Sequence, residues 1–250
     1  MTEDKEIRQE IWNGKLPICF KLATDECGSI EPEEIYLMVS RQTYFPLVLD
    51  KVQRHLSEFM VNPTNKTNEI WLDFNGTPLK WYYPVGLLFD LYANDGGIDS
   101  QSINIPWNLN VHFDNFPVEL INTFNNKDVV ESYFLSTIKE ADAIKHKGKI
   151  INDMLKKDHK QLWYGIQNDK FDQFWSVNKK LMEVIDGMEY FKAIPFRIYQ
   201  NDKSFIQNTF EPTNESGKRR NLGDLLEFIF GADFKQSIRL VLIQGIILKI

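Results

Sequence analysis

At 250 residues the chain is long enough for one large domain or two to three small ones. Apolar residues at 43% and charged residues at 26% are ordinary globular usage and exclude a disordered or fibrous chain. The formal net charge of -6 excludes broad nucleic-acid binding, which needs a basic footprint to neutralise phosphates.

Residues 1–10 are mostly charged and lack the apolar core of a secretory signal, and no run reaches the roughly 18 apolar residues of a membrane span. Membrane contact is therefore expected to be peripheral. Residues 1–12 read as a short helix, with Thr2 as N-cap, acids in the first turn, Ile7 and Ile11 at i,i+4 spacing and Gly14 to end it. Strand-like runs follow at 16–23 and 34–40, separated by a turn-rich stretch holding Cys27, Gly28 and Pro32. Pro46 opens a helix in which Leu49, Val52, Leu56 and Met60 keep one apolar face. Ile70, Leu72 and Phe74 alternate over 69–75, which reads as a half-buried strand. Pro84 starts a second short helix to Tyr92, residues 94–104 read as a polar insertion, and 105–113 closes the segment as a strand. The order strand, strand, helix, strand, short helix, strand matches the ubiquitin-like β-grasp, a mixed sheet curled around one helix, although fold alone does not assign function.

From 127 to 182 the period becomes helical. Val130, Phe134, Ile138, Ala141 and Ile144 form one stripe, and Phe171, Phe174, Trp175 and Met182 another; such stripes are core before they are a cofactor pocket. Residues 139–160 hold seven lysines and four acids, net +3, which leaves the remainder of the chain at -9. A lysine-rich helical face is first of all a solvated face. The alternative is a membrane-facing basic patch for anionic lipid or a partner, made by Lys145, Lys147, Lys149, Lys156, Lys157 and Lys160. Further on, 194–200, 204–211 and 238–244 read as strands and 222–230 as a helix. The earlier order has returned, and Ile194-Pro195-Phe196 echoes Leu16-Pro17-Ile18. The expected class is α+β: an N-terminal helix over 1–14, a ubiquitin-like domain over 15–115, a helix-rich domain over 127–185 and a second ubiquitin-like domain over 190–250.

Candidate chemistry is sparse. There is no phosphate-binding glycine loop, nucleophile elbow or histidine pair at metal-binding spacing. Cys19 and Cys27 are too few for a disulfide framework, which fits a reducing, cytoplasmic compartment. No catalytic residue, metal or cofactor is expected. Asp158-His159 with Asp169 and Asp172 is the best enzyme-like cluster, set against the ordinary reading of a Lys- and Asp-rich helical surface. His112 reads as a packed or edge histidine. Trp81, Tyr82 and Tyr83 follow one another in a segment that reads as extended, where side chains alternate sides. At least one should then leave the core and offer a partner an anchor; tyrosines with wet hydroxyls are the equal alternative.

Three sets of runs resemble the autophagy protein 5 family in register from about Thr2 to Gly245. GTPLKWYYPVGLLFDL (76–91) and IPWNLNVHF (105–113) resemble its first ubiquitin-like domain. IKEADAIKHK (138–147) and KKDHKQLWYGIQNDKFDQFW (156–175) resemble its helix-rich domain, and IPFRIY (194–199) with LGDLL (222–226) its second ubiquitin-like domain. The resemblance implies that Lys139 is the lysine joined to the C-terminal glycine of autophagy protein 12, a ubiquitin-like protein. It implies further that the conjugate, bound to a helix of autophagy protein 16 in a groove, acts like a ligase. Transfer of an autophagy protein 8 family member onto phosphatidylethanolamine would follow, with autophagy proteins 7, 10 and 3 as transient conjugating enzymes, at the phagophore assembly site membrane. At about 100° per residue the first stripe centres near 20° and Lys139 falls near 180°, so its amine should face solvent, with Glu140 and Asp142 as charged neighbours. In the resembled family the second ubiquitin-like domain continues through another helix and a final strand. That domain is therefore expected to be incomplete here, with 246–250 substituting in part. The competing readings are an unconjugated adaptor or truncated form lacking full partner binding, and a hydrolase using His159.

Overall fold

The computed structural model describes residues 2–60, 70–93, 105–123, 127–184, 191–199, 204–232, 240–243 and 246–249. They fall into two compact units, residues 1–133 and 134–250.

In the first unit α1 (Thr2–Trp12) ends where the Gly14 N–H turns back to the Ile11 carbonyl at 3.2 Å, and β1 (Lys15–Leu22) follows. The other elements are β2 (Ile35–Ser40), α2 (Phe45–Leu56), β3 (Trp71–Phe74), β4 (Thr77–Pro78), α3 (Val85–Tyr92) and β5 (Trp107–His112). The sheet order is β2-β1-β5-β3-β4, with β1 and β5 parallel and the other pairs antiparallel. Alternation along β1 and β5 buries Ile18, Phe20, Leu109 and Val111 completely on one face. Phe45 of α2 and Phe89 of α3 meet Trp107 on that face at 6.0 and 5.5 Å between ring centroids. Leu49, Val52 and Leu56 complete the buried side of α2, each contributing about 1.5–3 kcal/mol.

Two expectations shift here. Met60 is not a fourth helical position, because α2 gives way to a 3-10 turn at Ser57–Phe59 and Met60 bridges to Cys27. The third strand stops at Phe74, because Asn75 and Gly76 have φ 51 and 78, the two left-handed positions of an Asn-Gly hairpin turn. The expected insertion at 94–104 lies outside the described residues.

The unit boundary falls within α4 (Lys127–His146), which is followed by α5 (Lys149–Asp153), α6 (Lys156–Gln167) and α7 (Phe171–Met182). The expected α4 stripe holds at Val130 and Phe134 and then fails. Ile144 is exposed, whereas Asp142 and His146 are buried. An i,i+4 line drifts about 40° per step around a helix, and this one carries two polar residues into the interior. On α7 Met182 is exposed and Leu181 is buried with Phe171 and Val177, one residue from the expected stripe.

β6 (Ile194–Tyr199) and β7 (Phe205–Phe210) form a hairpin. α8 (Leu222–Phe230) begins with a reciprocal cap: Asp224 N–H donates to Asn221 Oδ1 at 3.1 Å and Asn221 N–H to Asp224 Oδ2 at 2.7 Å. β8 (Leu240–Ile243) pairs with β9 (Ile246–Lys249), so the tail expected as a partial substitute is a strand of its own. Among the described residues these two hairpins are separate two-stranded sheets. Positions 238, 239 and 244 of the expected strand lie outside the described residues.

Candidate functional site on the helical segment

Lys139 is exposed on α4 and, among the described residues, its amine has neither a hydrogen bond nor an ion pair. Glu140 is exposed beside it. Asp142, read from sequence as a charged neighbour, is instead 2% exposed and turned inward. Its Oδ2 accepts from the Ile151 N–H at 2.9 Å, and its Oδ1 lies 2.7 Å from His146 Nδ1. The Glu183 carbonyl, 2.9 Å from His146 Nε2, can only accept, so that nitrogen is the donor there. This buried lock joins the end of α4 to the start of α5 and the end of α7. Its two side chains lie about 4.5 Å (Asp142) and about 10.5 Å (His146) along the axis from Lys139, at a rise of about 1.5 Å per residue.

Lys145 does not belong to a membrane-facing patch. Its amine donates to the Leu181 carbonyl and stands 4.6 Å from the Phe191 ring centroid. Burial pushes that amine below the ordinary lysine range, with the Asp142 charge opposing. The other members, Lys147, Lys149, Lys156, Lys157 and Lys160, are exposed and without ion pairs among the described residues. Lys149 lines a cleft of about 330 Å³ between α5, the start of α6 and the end of α7, together with Asp153, Asp158, Lys180 and Glu183.

Trp81, Tyr82 and Tyr83 occupy a turn rather than an extended segment, closed by the Tyr83 N–H to the Lys80 carbonyl at 3.0 Å. Alternation therefore does not apply to them. Trp81 and Tyr83 are buried, and Trp81 Nε1 donates to the Asn122 carbonyl at 2.5 Å. Tyr82, half-buried, packs on Tyr83 and Tyr133 at 4.9 and 5.2 Å between centroids. Of the three, Tyr82 keeps the most accessible surface.

His112 is packed, as one of the two sequence readings had it. Its Nδ1 faces Glu26 Oε1 at 3.2 Å, its Nε2 faces Asp73 Oδ2 at 2.6 Å, and the ring stacks on Trp71 at 3.9 Å. Asp158 and His159, the enzyme-like candidates, each make a main-chain contact. Asp158 caps α6 by accepting from the Leu155 N–H at 3.1 Å, and His159 Nε2 lies 3.3 Å from the Ile151 carbonyl. Asp169 sits in the turn before α7 and Asp172 in its first turn. Among the described residues no group of three or more His, Cys, Asp or Glu side chains forms a metal-binding cluster.

Three family models match consecutive stretches: the "Autophagy protein ATG5, UblA domain" over residues 11–113, the "alpha-helical bundle region" over 127–184 and the "UblB domain" over 193–250. Autophagy protein 5 of Drosophila melanogaster is 43% identical over 227 residues, covering 90% of this chain and 82% of the relative. The chain belongs to the autophagy protein 5 family. Autophagy-related protein 5 of Caenorhabditis elegans is 29% identical over 94% of the chain and 82% of the relative. Autophagy protein 5 of Penicillium rubens is 31% identical over 77% of the chain, which spans 64% of that relative. The crystal structure of Kluyveromyces marxianus Atg5 superposes with a TM-score of 0.80 over 98% of this chain and 90% of its own; at 22% identity this is a likeness of fold.

Membership in the autophagy protein 5 family places the chain in autophagy, with ubiquitin-like domains on either side of a helical bundle. Sequence reasoning missed the Asp142–His146 lock and the Glu26–His112–Asp73 cluster. The first had a usable signal, an acid and a histidine four residues apart on one helix. The second joins residues up to 86 positions apart in sequence and had none.

Proposed function

We propose that this chain is a non-catalytic scaffold of autophagy that accepts autophagy protein 12 through an isopeptide bond on Lys139. The observation that carries the reading is the Lys139 amine, exposed and unpaired among the described residues, on a helix whose far end is fixed by the Asp142–His146 lock. An acceptor must reach a thioester held by another protein, so it needs exposure and a steady helix rather than a pocket. The conjugate, with a helix of autophagy protein 16 bound, promotes transfer of an autophagy protein 8 family member onto phosphatidylethanolamine. Autophagy proteins 7, 10 and 3 act on it transiently.

Recruitment from the cytoplasm to the phagophore assembly site membrane is peripheral. The five exposed lysines from Lys147 to Lys160 favour an anionic surface by about 1 kcal/mol each. Exposed Leu155 precedes α6 as its N-cap residue, and exposed Tyr164 lies on α6.

Lys139→Arg tests the reading. It keeps the surface charge, so stability should change by less than about 0.5 kcal/mol, while the covalent adduct disappears from cell extracts and no branched tryptic peptide forms at position 139. An adduct at undiminished level sinks the assignment. Lys147→Arg is the control, expected to conjugate normally; Lys145 is unsuitable because its amine holds the end of α7.

A further inference from the structure

The five-stranded sheet has two edges, and they are built differently. β4 is two residues long and contains Pro78, which has no N–H to donate, so that edge is blunted. β2 is six residues long, reads IYLMVS, and carries neither proline nor charge. Among the described residues, positions 35–39 make no main-chain hydrogen bond outside the pairing with β1. Alternate N–H and C=O groups of β2 therefore point away from the sheet, with no main-chain partner among the described residues. Tyr36 and Met38, two residues apart and so on one face, are 62% and 63% exposed. An apolar, uncharged edge without proline is the form that pairs with another chain.

The approach to β2 states what kind of chain. Residues 25–34 include Asp25, Glu26, Glu31, Glu33 and Glu34. Glu26 is buried against His112, and Glu34 is paired with Lys21 at 2.5 Å. Asp25, Glu31 and Glu33 have no cationic partner among the described residues. Asp25, Glu31 and Glu33 are exposed and lie between the end of β1 and the start of β2; burial pushes the Cys27 thiol up, and the charges of Glu31 and Asp25 add to the rise.

We propose that the β2 edge accepts an extended segment of a partner protein as a sixth strand, with apolar side chains at alternate positions and lysine or arginine at the end that meets Asp25, Glu31 and Glu33. Main-chain bonds supply affinity, the apolar positions lie along Tyr36 and Met38, and the basic end sets direction. A second copy of this chain is the poorer occupant. Antiparallel pairing of two β2 strands would leave both acidic ends without a cation, because Arg41 beyond the far end is already held by Asp90 at 2.5 Å. The inference does not depend on conjugation through Lys139.

The probe is a short synthetic peptide of alternating valine and threonine ending in two lysines, N-methylated at alternate residues so that only one of its edges can pair. It is titrated against the full chain while amide hydrogen exchange is followed at residues 35–39. Exchange there should slow about tenfold or more at saturation, and the peptide methylated on the other set of residues should have no effect. The surface variant Glu31→Lys with Glu33→Lys should bind the lysine-ended peptide about tenfold more weakly and gain affinity for the same peptide ending in two glutamates. Unchanged exchange at saturation, equal action of both methylated peptides, or indifference to the sign of the end charge overturns the proposal. Protection of β2 that grows with protein concentration in the absence of peptide also overturns it, in favour of a second copy.

Discussion

His112 and His146 each place both ring nitrogens against acceptors, His112 between two carboxylates and His146 between a carboxylate and a carbonyl. In each case the histidine joins elements that apolar packing alone would leave free to slide, at the cost of burying charge that must stay paired. Glu34 is the opposite case, a surface carboxylate held down to about 2 by Lys21 first, then by the Tyr36 hydroxyl and the Cys19 thiol. The folded value lies below the ordinary 4.5, so whatever this network adds to stability is present above about 4.5 and lost as pH falls towards 2. Glu34→Gln should therefore melt below the parent protein at about pH 6 and level with it near pH 2, with a gap that narrows as salt is added. A gap that persists undiminished at pH 2 would contradict this. Of these contacts only the Asp142–His146 pair left a signal in the sequence, an acid and a histidine four residues apart on one helix. Asp142 read as a charged neighbour of Lys139 because polar residues on a helix usually face solvent, and Asp73 breaks the alternation of its strand because the His112 ring and the Gly76 N–H at 2.7 Å both require its carboxylate.

Element by element, the sequence was most readable where one apolar face meets one neighbour. α8 runs over the residues that its periodicity marks, and α2 differs only at its frayed end. α4 and α7 were misread on their second halves, since a helix whose neighbours change along its length does not keep one stripe. Glycine within a helix is a similar blind spot: it lowers helix propensity, so it looks like a weakness. Gly165 of α6 is instead what allows α7 close. A Cβ added there would lie 2.6 Å from Phe174 Cβ and 2.8 Å from its Cα and N, and the latter atoms are main chain that cannot rotate away. Gly165→Ala should therefore destabilise by about 1–3 kcal/mol despite alanine's better helix propensity. The check is the denaturant midpoint at unchanged slope; a midpoint equal to or above the parent's would show that the two helices have room to separate.

Over the whole chain, the order of elements and its return after residue 190 were legible, because a repeated strand, strand, helix, strand order survives errors of a few residues at each boundary. The quality of packing behind that order was not, since it depends on which side chains find neighbours. β1 buries Leu16, Ile18, Cys19, Phe20 and Leu22, whereas no residue of β6 is buried and β7 buries Phe210 alone. Phe210 is covered by Arg220 at 4.0 Å and touches Phe228 of α8 at 6.3 Å, a small satellite cluster rather than a sheet core. A two-stranded hairpin is marginal in water unless a further layer covers it. The same pair of sequence echoes, Leu16-Pro17-Ile18 and Ile194-Pro195-Phe196, thus begins one strongly protected strand and one weakly protected strand. Native-state hydrogen exchange should show the amides of Ile194–Tyr199 opening at a free energy lower by about 2 kcal/mol or more than those of β1 or of the buried α6 positions Leu162 and Ile166. Exchange from β6 should also be insensitive to mild denaturant, the mark of local opening, while β1 exchanges only through a larger unfolding. Equal free energies and equal denaturant dependence in the three places would mean that the hairpin unfolds together with the helices, and that the cluster around Phe210 is part of one cooperative unit.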